Sequence, residues 1–210
     1  DVKSITSFVN SGAAKLRELH SEGLLDNRQG TLQLQRLAGA QTSVLNAQGS
    51  LFVASDLHLT AHHIDNSAGA LHGAQSLSVE AGSVINNAGT LSASSDLTLK
   101  AHKLDNNHGA HLASHAGSVH LTATETLNNQ QARIAAAQGR HIDSGALDNR
   151  GGSLQTTGAP GLLHINSGAG VDNSAGGLIQ SSGRLELFVA AGTVNNTGAT
   201  MDARQDLLIQ

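Results

Sequence analysis

Twelve histidines are the most conspicuous chemical resource of this 210-residue chain, which has no Cys, Trp or Tyr. His62 and His63 are adjacent, His102 follows, and His108, His111, His115 and His120 crowd one segment. Imidazoles grouped in this way suit a surface metal site or a response to pH near neutrality. They equally suit exposed turns and strand faces in a chain short of lysine. Acid/base work on a polysaccharide would need carboxylates converging on one face, often with a cation beside them. Glu80, Glu125 and Glu186 are instead isolated, and the Asp residues are spread along the chain. Gly-Gly-x-Gly-x-Asp calcium repeats and EF-hand loops are absent. The expectation is therefore a protein that is not an enzyme and has no cofactor and no metal ligands. The best candidate for a binding face is His108, His111 and His115.

Composition narrows the classes further. A formal charge of -4, with 13% charged residues and 1% aromatics, gives nucleic acid neither a basic face nor stacking platforms. Sugar stacking on Trp or Tyr and any disulfide framework are likewise excluded. No apolar run approaches the ~20 residues that cross a bilayer, so no membrane insertion is expected. The start, Asp1-Val2-Lys3-Ser4, has no apolar signal core. Leu, Ile, Val and Phe make up about 24% of the chain, just above the ~20% below which chains stay disordered. A core of small aliphatic residues alone calls for closely stacked, regular units.

The elements that would position these side chains emerge from a repeat. Leu25-Asp26-Asn27-Arg28-Gln29-Gly30-Thr31-Leu32 and Ile64-Asp65-Asn66-Ser67-Ala68-Gly69-Ala70-Leu71 share one phrase. It returns at Leu147 to Leu154 and Val171 to Leu178, with looser copies elsewhere. The aligned asparagines are Asn27, Asn46, Asn66, Asn86, Asn106, Asn129, Asn149, Asn173 and Asn196, spaced 19–24 residues apart. Between the phrases apolar and polar residues alternate, as in Ser55-Asp56-Leu57-His58-Leu59-Thr60-Ala61, which is the period of a half-buried strand.

Helix-pair repeats need more than ~30 residues. About 20 residues holding two or three short strands is one coil of a parallel β-helix, so the chain reads as an all-β solenoid of about 9–10 coils. The asparagine column predicts a ladder of stacked amides at one corner. The aligned Gly30, Gly49, Gly69, Gly89, Gly109, Gly152 and Gly176 predict a turn position with positive φ, or a close approach of backbones, with Ala132 and Ala199 as departures. The residue before each Asn reads Asp26, Leu45, Asp65, Ile85, Asp105, Asn128, Asp148, Asp172, Asn195. Charged and neutral coils mostly alternate there, which separates like charges. Asp148 and Asp172 break the alternation, with Arg150 placed to offset them. His62 and His102 align two coils apart, about 9.6 Å, too far to share one ion directly. Segments 108–116 and 156–162 carry the extra residues and are expected to bulge as loops, the second with the chain's one Pro, Pro160.

The Leu/Val-Asp-Asn-x-x-Gly-Gly-x-Leu copies at 147–154 and 171–178, with the weaker copies from 25 to 201, resemble the haemagglutinin-type repeat of bacterial two-partner secretion exoproteins. That family includes filamentous haemagglutinin adhesins and the toxin-delivery proteins of contact-dependent growth inhibition. The resemblance implies a right-handed β-helical filament outside the outer membrane of a Gram-negative cell, secreted or held at the surface. It implies a dedicated outer-membrane transporter as partner during export, and a host-cell or bacterial surface receptor as a possible second one. It does not choose between adhesin and toxin carrier. A chain without cysteine suits passage through the periplasm unfolded. Residues 25–210 are expected to form the repeat helix. Residues 1–24 are either an irregular first coil or a short helix, capped at Ser11 and ended at Gly23. The end, Gln205 to Gln210, falls inside a coil, so the chain reads as a piece of a longer filament. Within it two readings stay open: a stalk segment providing length and stiffness, or an adhesive module with one binding face.

Overall fold

The computed structural model describes residues 2–210, with side chains from residue 5 onward. Among these there are strands and turns and no helix. The first coils contain β1 (Val2–Val9), β2 (Ala13–Asp26), β3 (Thr31–Ala38) and β4 (Gln41–Leu45). Three regular coils follow: β5 (Ser50–Val53) with β6 (Leu57–Asp65), β7 (Ala70–Gly73) with β8 (Leu77–Ile85), and β9 (Thr90–Ala93) with β10 (Leu97–Asp105). Next come β11 (His111–Ser114) with β12 (Val119–Asn128), and β13 (Arg133–Ala136) with β14 (Arg140–Asp148). Then the long strand divides. β15 (Ser153–Thr156) precedes β16 (Leu163–Ser167) and β17 (Val171–Asp172), and β18 (Leu178–Ser181) precedes β19 (Leu185–Val189) and β20 (Val194–Asn195). β21 (Thr200–Ala203) and β22 (Leu207–Ile209) complete the stack.

Every described ladder is parallel, and each strand pairs with its counterpart one coil away. This is a β-solenoid of about ten turns. Its interior is built from aliphatic columns. One runs Leu32, Leu51, Leu71, Leu91, Leu112, Ile134, Leu154, Ile179. A second runs Leu59, Val79, Leu99, Leu121, Ile142, Ile165, Leu187. A third runs Leu25, Val44, Ile64, Val84, Leu104, Leu127, Leu147, Val171. Nearly all of these side chains are out of contact with solvent. Full burial of one such side chain is worth about 1.5–3 kcal/mol, and a coil obtains it only from its neighbours.

Residues 13–26 form one long strand, not a helix, and β2 runs through the expected boundary at residue 24. Its two halves pair with β3 and β4 above, and its second half with β1 below. The expected loop at 108–116 is a correction: β11 lies flush in the sheet, in register with β9 and β13. The three extra residues of that coil are spread singly over three corners, at 107–110, at 115–118 and as a bulge between Ala123 and Thr126. A parallel ladder tolerates an added residue where strands end or as a single bulge, but not within a regular run of pairs. Segment 157–162, by contrast, does leave the sheet as a loop.

Of the two roles expected of the glycine in the turn after each ladder asparagine, most copies take the close approach and not the positive φ. The left-handed residue is the one before: Gln29, Gln48, Ala68, Ala88, His108, Gln131 and Ala175 have φ of 52–58°, and Gly151 and Gly198 take the same place. Gly30, Gly49, Gly69, Gly89 and Gly152 instead serve close approach. A Cβ on Gly69 would lie 2.1 Å from the Asn46 carbonyl oxygen of the preceding coil. Gly109 and Gly176 are out of register by one, because their turns carry an extra residue. Ala110 and Gly177 occupy the equivalent place, and Gly109 and Gly176 themselves have positive φ. Ala132 and Ala199 stack on those two widened turns, which close on Asn107 and Ser174 and not on the ladder asparagine. Their own turn bonds lengthen to 3.4 and 3.3 Å, against 3.0 Å at Gly69.

Gly69→Ala is therefore expected to cost about 1–3 kcal/mol through the carbonyl clash. Ala68→Gly removes left-handed strain of about 1 kcal/mol and adds a similar unfolded-state entropy, so it should change stability by less than about 0.5 kcal/mol. Thermal unfolding followed by circular dichroism distinguishes the two.

Candidate functional site

One corner of the solenoid is a continuous chain of amides. Each Asn Nδ2 donates to the Oδ1 of its counterpart one coil on, from Asn27 through Asn46, Asn66, Asn86, Asn106, Asn129, Asn149 and Asn173 to Asn196, at 2.6–2.8 Å. Asn10, within the unassigned first segment, is a further rung, donating to Asn27 Oδ1 at 2.7 Å. The same Nδ2 also serves backbone carbonyls: Asn66 reaches Gly69 O at 3.2 Å and Thr90 O at 2.9 Å. At Asn106, whose turn is widened, the described bond is to Asn129 alone, at 2.8 Å. The eight amides from Asn27 to Asn173 have 0% exposure. Buried polar groups must be bonded, and an amide with donor and acceptor opposed can pass bonds along an axis indefinitely.

The residue before each rung is set by the same corner. Its carboxylate or amide oxygen accepts the N–H two residues on: Asp26 from Arg28 at 3.1 Å, Asp65 from Ser67 at 2.9 Å, Asn128 from Gln130 at 3.1 Å, Asp172 from Ser174 at 3.0 Å. This local turn explains why Asp and Asn recur there. Arg28 binds Asp26 through Nε and Nη2 at 2.9 and 2.6 Å. The Arg28 side chain, against the opposing effect of burial, holds the Asp26 carboxyl below the ordinary carboxylate range. Arg150 pairs with Asp148 at 2.7 Å and stands 3.9 Å from Asp172, bridging the two coils where the charge alternation fails. Burial pushes the Asp148 carboxyl up, but bonds from Arg150 and Gln130 outweigh it and the net displacement is downward.

The haemagglutinin repeat matches this sequence over residues 20–87, 74–131 and 112–210. The chain belongs to the haemagglutinin repeat family. Neither a curated protein nor a solved structure matches it. The family is one of secreted or cell-surface proteins, and no described helix is long and apolar enough to cross a membrane.

On the outer faces of this haemagglutinin repeat segment the candidate histidines are dispersed. His108 sits in the corner turn with φ of 55°, its Nδ1 against Asn107 Oδ1. His111 projects from the start of β11 and His115 follows its end, and both border a shallow depression with Arg133. His108 is not among its lining. His72 lies near enough to His115 to feel its charge, and burial, with that charge second, lowers the His72 pKa. His62, Gly82 and His102 do share a column; His102 Nδ1 meets Thr124 Oγ1 at 2.9 Å. Among the described residues no three His, Asp or Glu side chains are grouped to hold a metal ion.

His141 and His164, which the clustering of histidines along the chain does not single out, stand in one column with His120. The His141 and His164 rings stack with centroids 4.8 Å apart and planes within 5°. His141 Nε2 is 2.9 Å from Asp143 Oδ2, and His164 Nδ1 is 2.9 Å from Glu186 Oε2. The signal was there: each of His120, His141 and His164 directly precedes the same inward aliphatic column, at Leu121, Ile142 and Ile165.

Asn66→Ala would remove four hydrogen bonds at once, to Asn46, Asn86, Gly69 and Thr90, and leave the buried Asn86 Oδ1 without its donor, so it should cost about 2–4 kcal/mol in urea titration, whereas Ser67→Ala stays within about 0.5 kcal/mol. For Asp26 the folded pKa lies below the unfolded one. Its bond to Arg28 thus contributes stability above about pH 4 and loses it as pH falls through the folded value. The stability difference between wild type and Arg28→Ala should shrink as urea midpoints are followed from about pH 5 to about pH 2.

Proposed function

We propose that this segment is a rigid stalk within the filament of a Gram-negative exoprotein exported by two-partner secretion, and that it holds adhesive or toxin-bearing regions away from the cell surface. The observation that carries the reading is the amide ladder, which links every coil from Asn10 to Asn196 in one unbroken chain of hydrogen bonds. With parallel sheets and aliphatic columns alongside it, the stack is continuous in three kinds of interaction at once. At ~4.8 Å per coil, ten coils give a rod of about 45 Å. Length and bending stiffness are the properties such a rod supplies. Transport through the outer membrane as an unfolded chain fits the same construction. Each coil that forms outside adds burial and ladder bonds to a template already in place, a stepwise gain that favours outward movement.

The adhesive reading has its own observation: the depression beside His111, His115 and Arg133 on the outer face of β11 and β13. Binding of fluorescently labelled fragment to epithelial cells and to live bacteria separates the two. The stalk reading expects folded, protease-resistant protein that shows no saturable binding. Saturable binding abolished by replacing His111, His115 and Arg133 together with alanine would instead make this an adhesive module with a located face.

A further inference from the structure

A cation stands inside the aliphatic stack. Arg140, the first residue of β14, occupies an inward column that otherwise reads Leu57, Leu77, Leu97, Val119, Leu163 and Leu185. It is 2% exposed. Nη2 donates to the Gln155 carbonyl of the next coil, while Nε and Nη1 have no partner among the described residues. Burial depresses its pKa to about 9, and the neighbouring charge of Arg133 acts in the same direction. The side chain is therefore still a cation at neutral pH. No carboxylate among the described residues pairs with it within 4.0 Å.

Two features of the same corner bear on what would neutralise it. The coil above Arg140 takes seven steps from Thr156 to Leu163, where Arg140's own coil takes four from Ala136 to Arg140. The added residues form the loop over this position, and Leu162 O of that loop accepts the Arg140 backbone N–H at 2.7 Å. The corner also turns polar inside: Thr156 and Ser181 are buried, with their hydroxyls 3.2 Å apart. An uncompensated buried charge costs far more than a buried hydroxyl. Water would satisfy the free N–H groups but leave the charge unbalanced. A small anion on the edge shared by Nε–H and Nη2–H balances the charge and accepts the free Nε–H, with Nη1–H left to water.

We propose that Arg140 is the ligand of a small monovalent anion of the halide class, bound within the solenoid under the 157–162 loop, and that this anion locks the β14 coil to the one above. A ligand bound by the folded state alone raises the melting temperature with its concentration. Calorimetric melting of the intact fragment in sodium chloride, sodium bromide and sodium gluconate at equal ionic strength tests this, because gluconate is too large for the interior. Wild type should gain about 3–5 °C for each tenfold rise in chloride or bromide above the dissociation constant, and none in gluconate. Arg140→Leu, which restores the aliphatic column, should lose that dependence and melt above wild type in gluconate. Should Arg140→Leu fail to fold, anomalous diffraction from wild-type crystals grown in bromide decides, with a peak expected beside the Arg140 guanidinium. Equal melting of wild type in chloride and gluconate, a halide dependence that persists in Arg140→Leu, or bromide crystals without that peak would each overturn the assignment.

Discussion

A buried side-chain amide that must find its twin one coil away sets the register of this molecule. The Nδ2-to-Oδ1 distance varies only from 2.6 to 2.8 Å over the whole stack, although the number of residues between rungs runs from 17 to 24. Sequence length is absorbed between the rungs, in the turns beside them as well as in the loops beyond, and never by displacing a rung. The reason is energetic asymmetry: an added residue at a loop costs a little chain entropy, whereas a displaced rung leaves donors and acceptors unpaired in the interior.

The rest of the corner follows from that constraint. Bringing successive amides into contact also brings the backbone of one turn onto the Asn carbonyl of the turn beneath, which excludes a Cβ at Gly69 and its counterparts. The chain then reverses in the residue before the glycine, and Gln and Ala accept a left-handed conformation there because the flanking bonds over-determine it. Where a turn gains one residue, at 107–110 and 174–177, the carbonyl approach is relaxed and the coil above can carry Ala132 or Ala199. Two departures from the pattern thus explain each other.

Away from the corner the solenoid is permissive, and its individuality is written there. The outer face over β12, β14 and β16 carries stacked imidazoles tied to Asp143 and Glu186, while the inner face of β14 admits a guanidinium among leucines. Neither disturbs the ladder or the neighbouring aliphatic columns. A rod that keeps its register at one corner can vary its other surfaces coil by coil, which fits a stalk and would equally fit a surface on which binding faces arise.

The sequence by itself determined the repeat, its phase, the all-parallel β-solenoid and the asparagine column, because each depends on a residue type recurring at nearly constant spacing. It also determined the alternation of charge before the rungs and the place of Arg150 between Asp148 and Asp172. Only the tertiary structure decided which residue of the turn is left-handed, since Gly69 is required by a carbonyl of another coil and not by its own φ. Only it recruited Asn10, 17 residues from the next rung, and placed residues 13–26 as a strand. It alone spread the extra residues of coil 106–129 over three corners and separated His108 from His111 and His115. In each case the deciding contact lies about 20 residues away in sequence and ~4.8 Å away in space, a distance that spacing along the chain does not measure.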